Sequence, residues 1–280
     1  SASSLQPITL LGNFTVNPNN EFELQNNTMH VNGFLTDNTS SEIYAWDTSK
    51  NSSSKSASVP DEAKGIDNSI DTDNNTGIED TGSKGGYLEI DNNFTLNGLM
   101  DVGDGNVLIH GMFNVAASGT LTISTGSLIC DAPTTSVAYV AGNFNLGEGL
   151  YEIRNNSLNM YPVTSSITGG VIKAGGTFIA NMADRFKPGF GTVELINGVN
   201  GHYIQMHSTN YFNHLIVNRT NPIGIYSGTS LTVKKDLTIN AGGLNSNNLP
   251  IYLGGYWNEN MGPAGFGEGT GTVYFNGIGA

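Results

Sequence analysis

The sequence predicts an all-β chain coiled as a parallel β-solenoid, with tandem antiparallel β-sandwiches as the alternative. Three observations carry that expectation. Short segments of alternating apolar and polar residues recur along nearly the whole chain, two small motifs return at similar spacing, and the composition favours turns over helices. The alternating segments span residues 12–17, 22–24, 29–34, 87–90, 94–96, 107–113, 120–123, 171–178, 215–217, 231–233 and 237–239. Each has the period-two spacing of a half-buried strand and is bounded by Asn, Gly or Asp. No stretch of helical length has helical periodicity.

The first motif is a turn residue, an apolar residue, Thr or Asn, and an aliphatic residue. It reads Asn13-Phe14-Thr15-Val16, Asn93-Phe94-Thr95-Leu96, Asn143-Phe144-Asn145-Leu146 and Asp236-Leu237-Thr238-Ile239. The second is an aliphatic run closed by Gly and an aromatic, as at Val31-Asn32-Gly33-Phe34, Gly111-Met112-Phe113, Gly175-Gly176-Thr177-Phe178 and Gly254-Gly255-Tyr256-Trp257. From the apolar residue of the first to the Gly of the second is about 18 residues in three of the four cases, close to one coil of a solenoid. The step from Phe144 to Gly175 is longer. A larger offset also recurs. Residues 175–182 return at 254–261, and 11–17 return at 91–97, offsets of 79 and 80 that predict units of about eighty residues and four coils each. In that alignment Phe178 and Trp257 are equivalent positions of one core ladder. Stacking follows from elementary physics: a three-residue strand leaves backbone groups unpaired on both edges, and only a similar coil above and below satisfies them.

Composition agrees. Gly (37) and Asn (36) together make up about a quarter of the 280 residues, while charged residues are only 12%. Asn, Gly, Ser and Thr weaken helix interiors and favour turns. A net charge of −13 leaves no basic footprint for nucleic acid. No apolar run reaches the roughly 20 residues of a membrane-spanning helix. The single cysteine, Cys130, precludes an internal disulfide and reads as a small buried hydrophobe. The chain starts at Ser1 and ends mid-repeat, as expected of a segment from a longer, processed polypeptide.

Three regions follow: first coils at 1–44, an insertion at 45–86, and continuing coils at 87–280. The insertion breaks the alternation. Residues 50–58 are low in complexity, and residues 61–80 hold seven acidic side chains against Lys64 alone. Within it, Asp71, Asp73 and Asn75 offer side-chain oxygens at alternate positions. Gly77 offers a carbonyl, and Glu79 and Asp80 offer carboxylates, the donor pattern of a loop wrapped around Ca²⁺. Thr76 and Gly82 depart from the helix-flanked calcium loop, at its invariant Gly and its bidentate Glu.

Catalytic patterns are weak. A polysaccharide hydrolase on a β-helix needs paired carboxylates, and a lyase needs a basic residue beside metal-binding acids. The nearest grouping is Glu89, Asp91, Asp101 and Asp104, all at turns where Asp is common anyway. Among the five histidines only His202 and His207 have metal-like spacing, and no catalytic residue is assigned. Tyr203, Tyr211, Phe212, Tyr256 and Trp257 could stack on sugars, although a core ladder is the favoured role. Sequons such as Asn13, Asn38, Asn51 and Asn218 occur about as often as this composition produces by chance.

Gly191-Thr192-Val193-Glu194-Leu195, then Gln205-Met206, then 211–218 (YFNHLIVN) and 230–240 (SLTVKKDLTIN) resemble a known repeat. They are similar to the repeats of very large surface adhesins exported by the type IX secretion system of gliding and related bacteria, well over residues 170–280 and loosely before. The resemblance implies a secreted, structural or adhesive β-solenoid without catalytic residues. Its expected location is the cell surface. Its expected partners are copies of itself or adjacent repeats, with surface glycans as further candidates and a carbohydrate-binding module as the second function.

Overall fold

A computed structural model describes residues 7–24, 27–33, 35–45, 85–132, 137–198, 203–226, 228 and 230–277. Every strand pairing among them is parallel, and the strands stack into a β-solenoid of about ten turns. This excludes the sandwich alternative. The single helical element among the described residues is a 3-10 turn at Gly262–Ala264.

Each coil contributes to up to three faces. The first face is an eleven-stranded sheet running from Ile8–Leu10 and Thr28–Val31 through Tyr87–Ile90, Asn106–Ile109, Ser127–Cys130 and Leu150–Ile153. It continues through Val171–Ala174, Thr192–Leu195, His214–Asn218 and Leu237–Ala241 to Trp257–Glu259. The second face is a nine-stranded sheet from Phe94–Leu96 to Phe266–Gly267, preceded by the pair Phe14–Val16 and Leu35–Asp37. The third is a six-stranded sheet from Glu21–Glu23 to Ser165–Ile167. It resumes as three strands from Leu231–Val233 to Val273–Phe275.

The core consists of ladders. On the first face Met29, Leu88, Val107, Leu128, Tyr151, Ile172, Val193, Leu215 and Leu237 occupy one register position in successive coils, all buried. Two residues on, Val31, Ile90, Ile109, Cys130, Ile153, Ala174, Leu195, Val217 and Ile239 form a second buried column. Alternation is what makes this possible, since every second side chain of a strand points inward. Each buried Leu or Ile contributes about 1.5–3 kcal/mol over its exposed state.

The register sets the length of a coil. First-face partners lie roughly 20 residues apart, as in Leu88↔Val107 and Leu128↔Tyr151, a coil length usual for stacked repeats. The pairing Met29↔Leu88 is the exception, because it reaches across the whole insertion. Residues 46–84 of that insertion lie outside the described residues.

These registers correct the longer repeat. Phe14 pairs with Leu35, and the following coil places Phe94 on the same face, so the offset of 80 equals two coils plus the insertion rather than four coils. Phe178 and Trp257 are not equivalent at all. Phe178 pairs with Ile204 on the second face, whereas Trp257 pairs with Leu237 on the first. The strand motif falls on the second face at Phe14 and Phe94, on the third at Phe144 and on the first at Leu237. All three faces impose the same turn–apolar–polar–aliphatic rule, so the motif marks where a strand starts without marking its face. The spacing between the two motifs is shorter than a coil because, at Phe14 and Phe94, it stops one corner before the turn closes.

A column of glycines forms the corner that enters the first face. Gly86, Gly105, Gly126, Gly149, Gly170 and Gly191 each immediately precede a strand of that sheet. The carbonyls of Gly86, Gly105, Gly126, Gly149 and Gly170 accept the amides of Asn106, Ser127, Leu150, Val171 and Thr192 at 2.9–3.0 Å. The backbones approach so closely that a Cβ on Gly126 would lie 2.0 Å from the Gly105 oxygen.

Where the third face is interrupted, between the strands Ser165–Ile167 and Leu231–Val233, the buried rings of Phe186 and Phe212 fill the space beneath the loops. They lie 5.3 and 5.1 Å from the ring of Phe178. Asn210, also buried, fastens these loops. Its Nδ2 donates to the carbonyls of Ala180 (2.6 Å) and Met182 (2.7 Å), and its Oδ1 accepts from the amides of Arg185 (3.1 Å) and Phe186 (3.2 Å).

Candidate functional site

The residues with the most chemistry lie on the outward surface of the first face. Outward positions on a stacked sheet repeat coil by coil, so polar residues there form columns about 4.8 Å apart. One column carries His30, Glu89, Leu108, Ile129, Glu152, Lys173 and Glu194. A second, at the corner leaving the sheet, carries Asp91, His110, Asp131 and Arg154, each directly after its strand.

At the upper end of this surface two imidazoles and two carboxylates meet. His30 Nε2 lies 3.0 Å from Asp91 Oδ1, and His110 Nε2 lies 2.8 Å from Glu89 Oε1. Donor atoms of His30, Glu89 and Asp91 all fall within 4.8 Å of one another. The hydrogen bond that His30 Nε2 donates to the Asp91 carboxylate, with the added fields of Asp91 and Glu89, raises the His30 pKa above its ordinary value despite partial desolvation. Further along, Arg154 Nε donates to Glu152 at 2.7 Å and its Nη1 lies 3.7 Å from Asp131. Lys173 Nζ meets Glu194 at 3.1 Å, and Asn218 Nδ2 donates to the same carboxylate at 2.7 Å.

The residues singled out by sequence are distributed unevenly. The calcium-type donors Asp71, Asp73, Asn75, Gly77, Glu79 and Asp80 lie outside the described residues, as does His202 of the His202/His207 pair; His207 Nδ1 contacts Thr209 Oγ1 at 3.0 Å. Glu89 and Asp91 do come together, but Asp101 belongs to the third face, where its Oδ1 accepts the Gly103 amide at 2.9 Å. Cys130 is buried as expected. Desolvation raises its thiol pKa to about 11, and its Sγ lies 3.0 Å from the Gly111 carbonyl, which makes it a packing residue.

The five aromatic candidates do not form one surface. Phe212 is buried, Trp257 packs edge-on against Phe266 at 4.7 Å, Tyr211 lies under the Lys234 ammonium at 5.2 Å, and Tyr256 is exposed. Tyr203 pairs instead with Tyr226 at 5.1 Å on the outside of the second face, a pairing visible only once the coil register is known. The histidine–carboxylate group was also hidden from sequence inspection. The insertion separates His30 from Glu89 in the chain, although the two are direct Cα partners.

The fold defines a class, the parallel β-solenoid repeat proteins. Beyond that class, no protein-family model, no curated protein and no solved structure matches this chain.

Proposed function

We propose that this chain is a structural or adhesive segment of a bacterial cell-surface filament or adhesin stalk, secreted by the type IX route and without enzymatic activity. The observation that supports this most is the continuity of the stack. Eleven consecutive strands of one sheet, at about 4.8 Å each, give a rod of about 50 Å whose ends are held apart by an unbroken core. Such an element spaces and transmits load, since pulling along its axis must break the parallel ladders of a whole coil together. The resemblance of residues 170–280 to adhesin repeats, read from the sequence motifs, supports a cell-surface setting. Among the described residues no helix is long and apolar enough to cross a membrane. Protease shaving of intact source cells tests the proposal: solenoid peptides should be released while cytosolic markers stay inside. Recovery of the chain only from the soluble lysate would overturn it.

A second reading, glycan binding, is favoured by the outward tyrosines of the second face. Tyr139 and Tyr226 are exposed, and the Tyr203–Tyr226 pair offers an aromatic platform of the sort sugars stack on. Unchanged glycan-array binding in Tyr226→Ala would remove it. Glu89 and Asp91 are the carboxylates that a hydrolase reading would need, but each is already tied to a histidine on an open sheet face.

A further inference from the structure

The group at His30, Glu89, Asp91 and His110 is built from three successive coils. His30 and Glu89 are register partners facing outward, and Asp91 stands two residues beyond Glu89 on the same side. Three donor atoms of mixed type, one imidazole nitrogen and two carboxylate oxygens, therefore converge within 4.8 Å. Ligands of a tetrahedral zinc ion, with bonds of about 2.0–2.1 Å, lie about 3.4 Å from each other, so small rotations of these partly exposed side chains close the site. Calcium prefers six to eight oxygens, whereas an imidazole with carboxylates selects a first-row transition ion. His110 adds the feature expected around a metal ligand. It hydrogen-bonds Glu89 Oε1, fixing that carboxylate and leaving Oε2 to coordinate. The column places Thr9 before His30 and Leu108 after Glu89, which confines the donor set to this level of the stack.

We propose that the first face carries a zinc(II) site, with His30, Glu89 and Asp91 as protein ligands and His110 as the positioning residue for Glu89. The ion would clamp the two coils that flank the insertion, the one step among the described coils where register partners are joined through a long excursion of the chain. A metal bound only by the folded coils raises their stability by mass action.

Zinc titration of the chelator-treated chain by isothermal calorimetry, with the zinc absorption edge as a second readout, tests this. One zinc per chain with imidazole scattering is expected. His30→Ala and Asp91→Asn should each weaken binding about 100-fold, and His110→Ala about tenfold. The double variant Asp71→Asn/Asp73→Asn and the variant His207→Ala should bind as the parent does. Because the substituted side chains point outward, thermal unfolding without zinc should change little, which separates lost ligation from lost folding. Absence of saturable zinc binding, binding that survives His30→Ala combined with Asp91→Asn, or binding lost on changing Asp71 and Asp73 would each overturn the proposal.

Discussion

A Cβ on Gly126 would stand 2.0 Å from the carbonyl oxygen of Gly105, one coil earlier, and that oxygen accepts the Ser127 amide at 2.9 Å. The corner is thus closed by backbone alone, with no room for any side chain. Gly126→Ala should lose about 2–3 kcal/mol in urea unfolding, the scale of overpacking a tight site. Gly12→Ala is the control. Its Cβ would meet nothing within 4 Å, and the change should stay within about 0.5 kcal/mol.

Asn210→Ala leaves four backbone groups, those of Ala180, Met182, Arg185 and Phe186, without their side-chain partner in the interrupted region of the third face. A loss of about 3 kcal/mol is expected, because an orphaned buried polar group costs about 1–3 kcal/mol and some of these will reach water. Hydrogen exchange should show protection falling first in residues 181–190. An unchanged unfolding midpoint would rule out the fastening role.

The glycine-rich composition announced the corners, and the two-residue alternation announced the strands and their buried sides. Val107, Ile109, Leu121 and Ile123 lie in the core where alternation put them. The face to which a strand belongs was not legible, because Phe14, Phe144 and Leu237 carry one motif on three different sheets. Register was hidden for a related reason. Coil length drifts between Leu88↔Val107 and Leu128↔Tyr151 and jumps at Met29↔Leu88, so side chains that touch, such as His30 and Asp91, have no fixed separation in the chain. Outward columns depend wholly on register, and the candidate site was therefore the least legible part.

Tyr151 interrupts an aliphatic ladder. Its ring packs between Phe113 (6.4 Å) and Phe144 (5.3 Å), and its buried hydroxyl has no hydrogen-bond partner among the described residues. Tyr151→Phe should keep the ring contacts while removing the orphaned hydroxyl, raising stability by about 1 kcal/mol. Destabilisation instead would mean that the hydroxyl is satisfied in solution.

Asp37 is buried beside the step across the insertion. Its carboxylate contacts the Ser41 hydroxyl and accepts the Asn97 and Gly98 amides, at 2.9 and 2.5 Å. Desolvation outweighs these hydrogen bonds and raises its pKa above 3.8. A raised folded-state pKa means that the folded chain holds the proton more tightly. The associated stability is complete below the unfolded-state value and is lost as pH rises through the folded-state value. The stability of the parent relative to Asp37→Asn should therefore increase on acidification from pH 7 towards 4. A difference that is flat or of opposite slope would contradict the assignment.

The central claim, one continuous parallel stack, is tested most directly by pulsed electron–electron distance measurements between outward positions of the first face in a Cys130→Ala background. With one nitroxide fixed at Leu108, the second placed at Lys173, Ile216, Thr238 and Asn258 lies three, five, six and seven coils further along. The separation should grow linearly by about 4.8 Å per coil, reaching about 34 Å at Asn258. A distance that levels off or shortens beyond Lys173 would mean that the chain folds back on itself, and the solenoid account would fail.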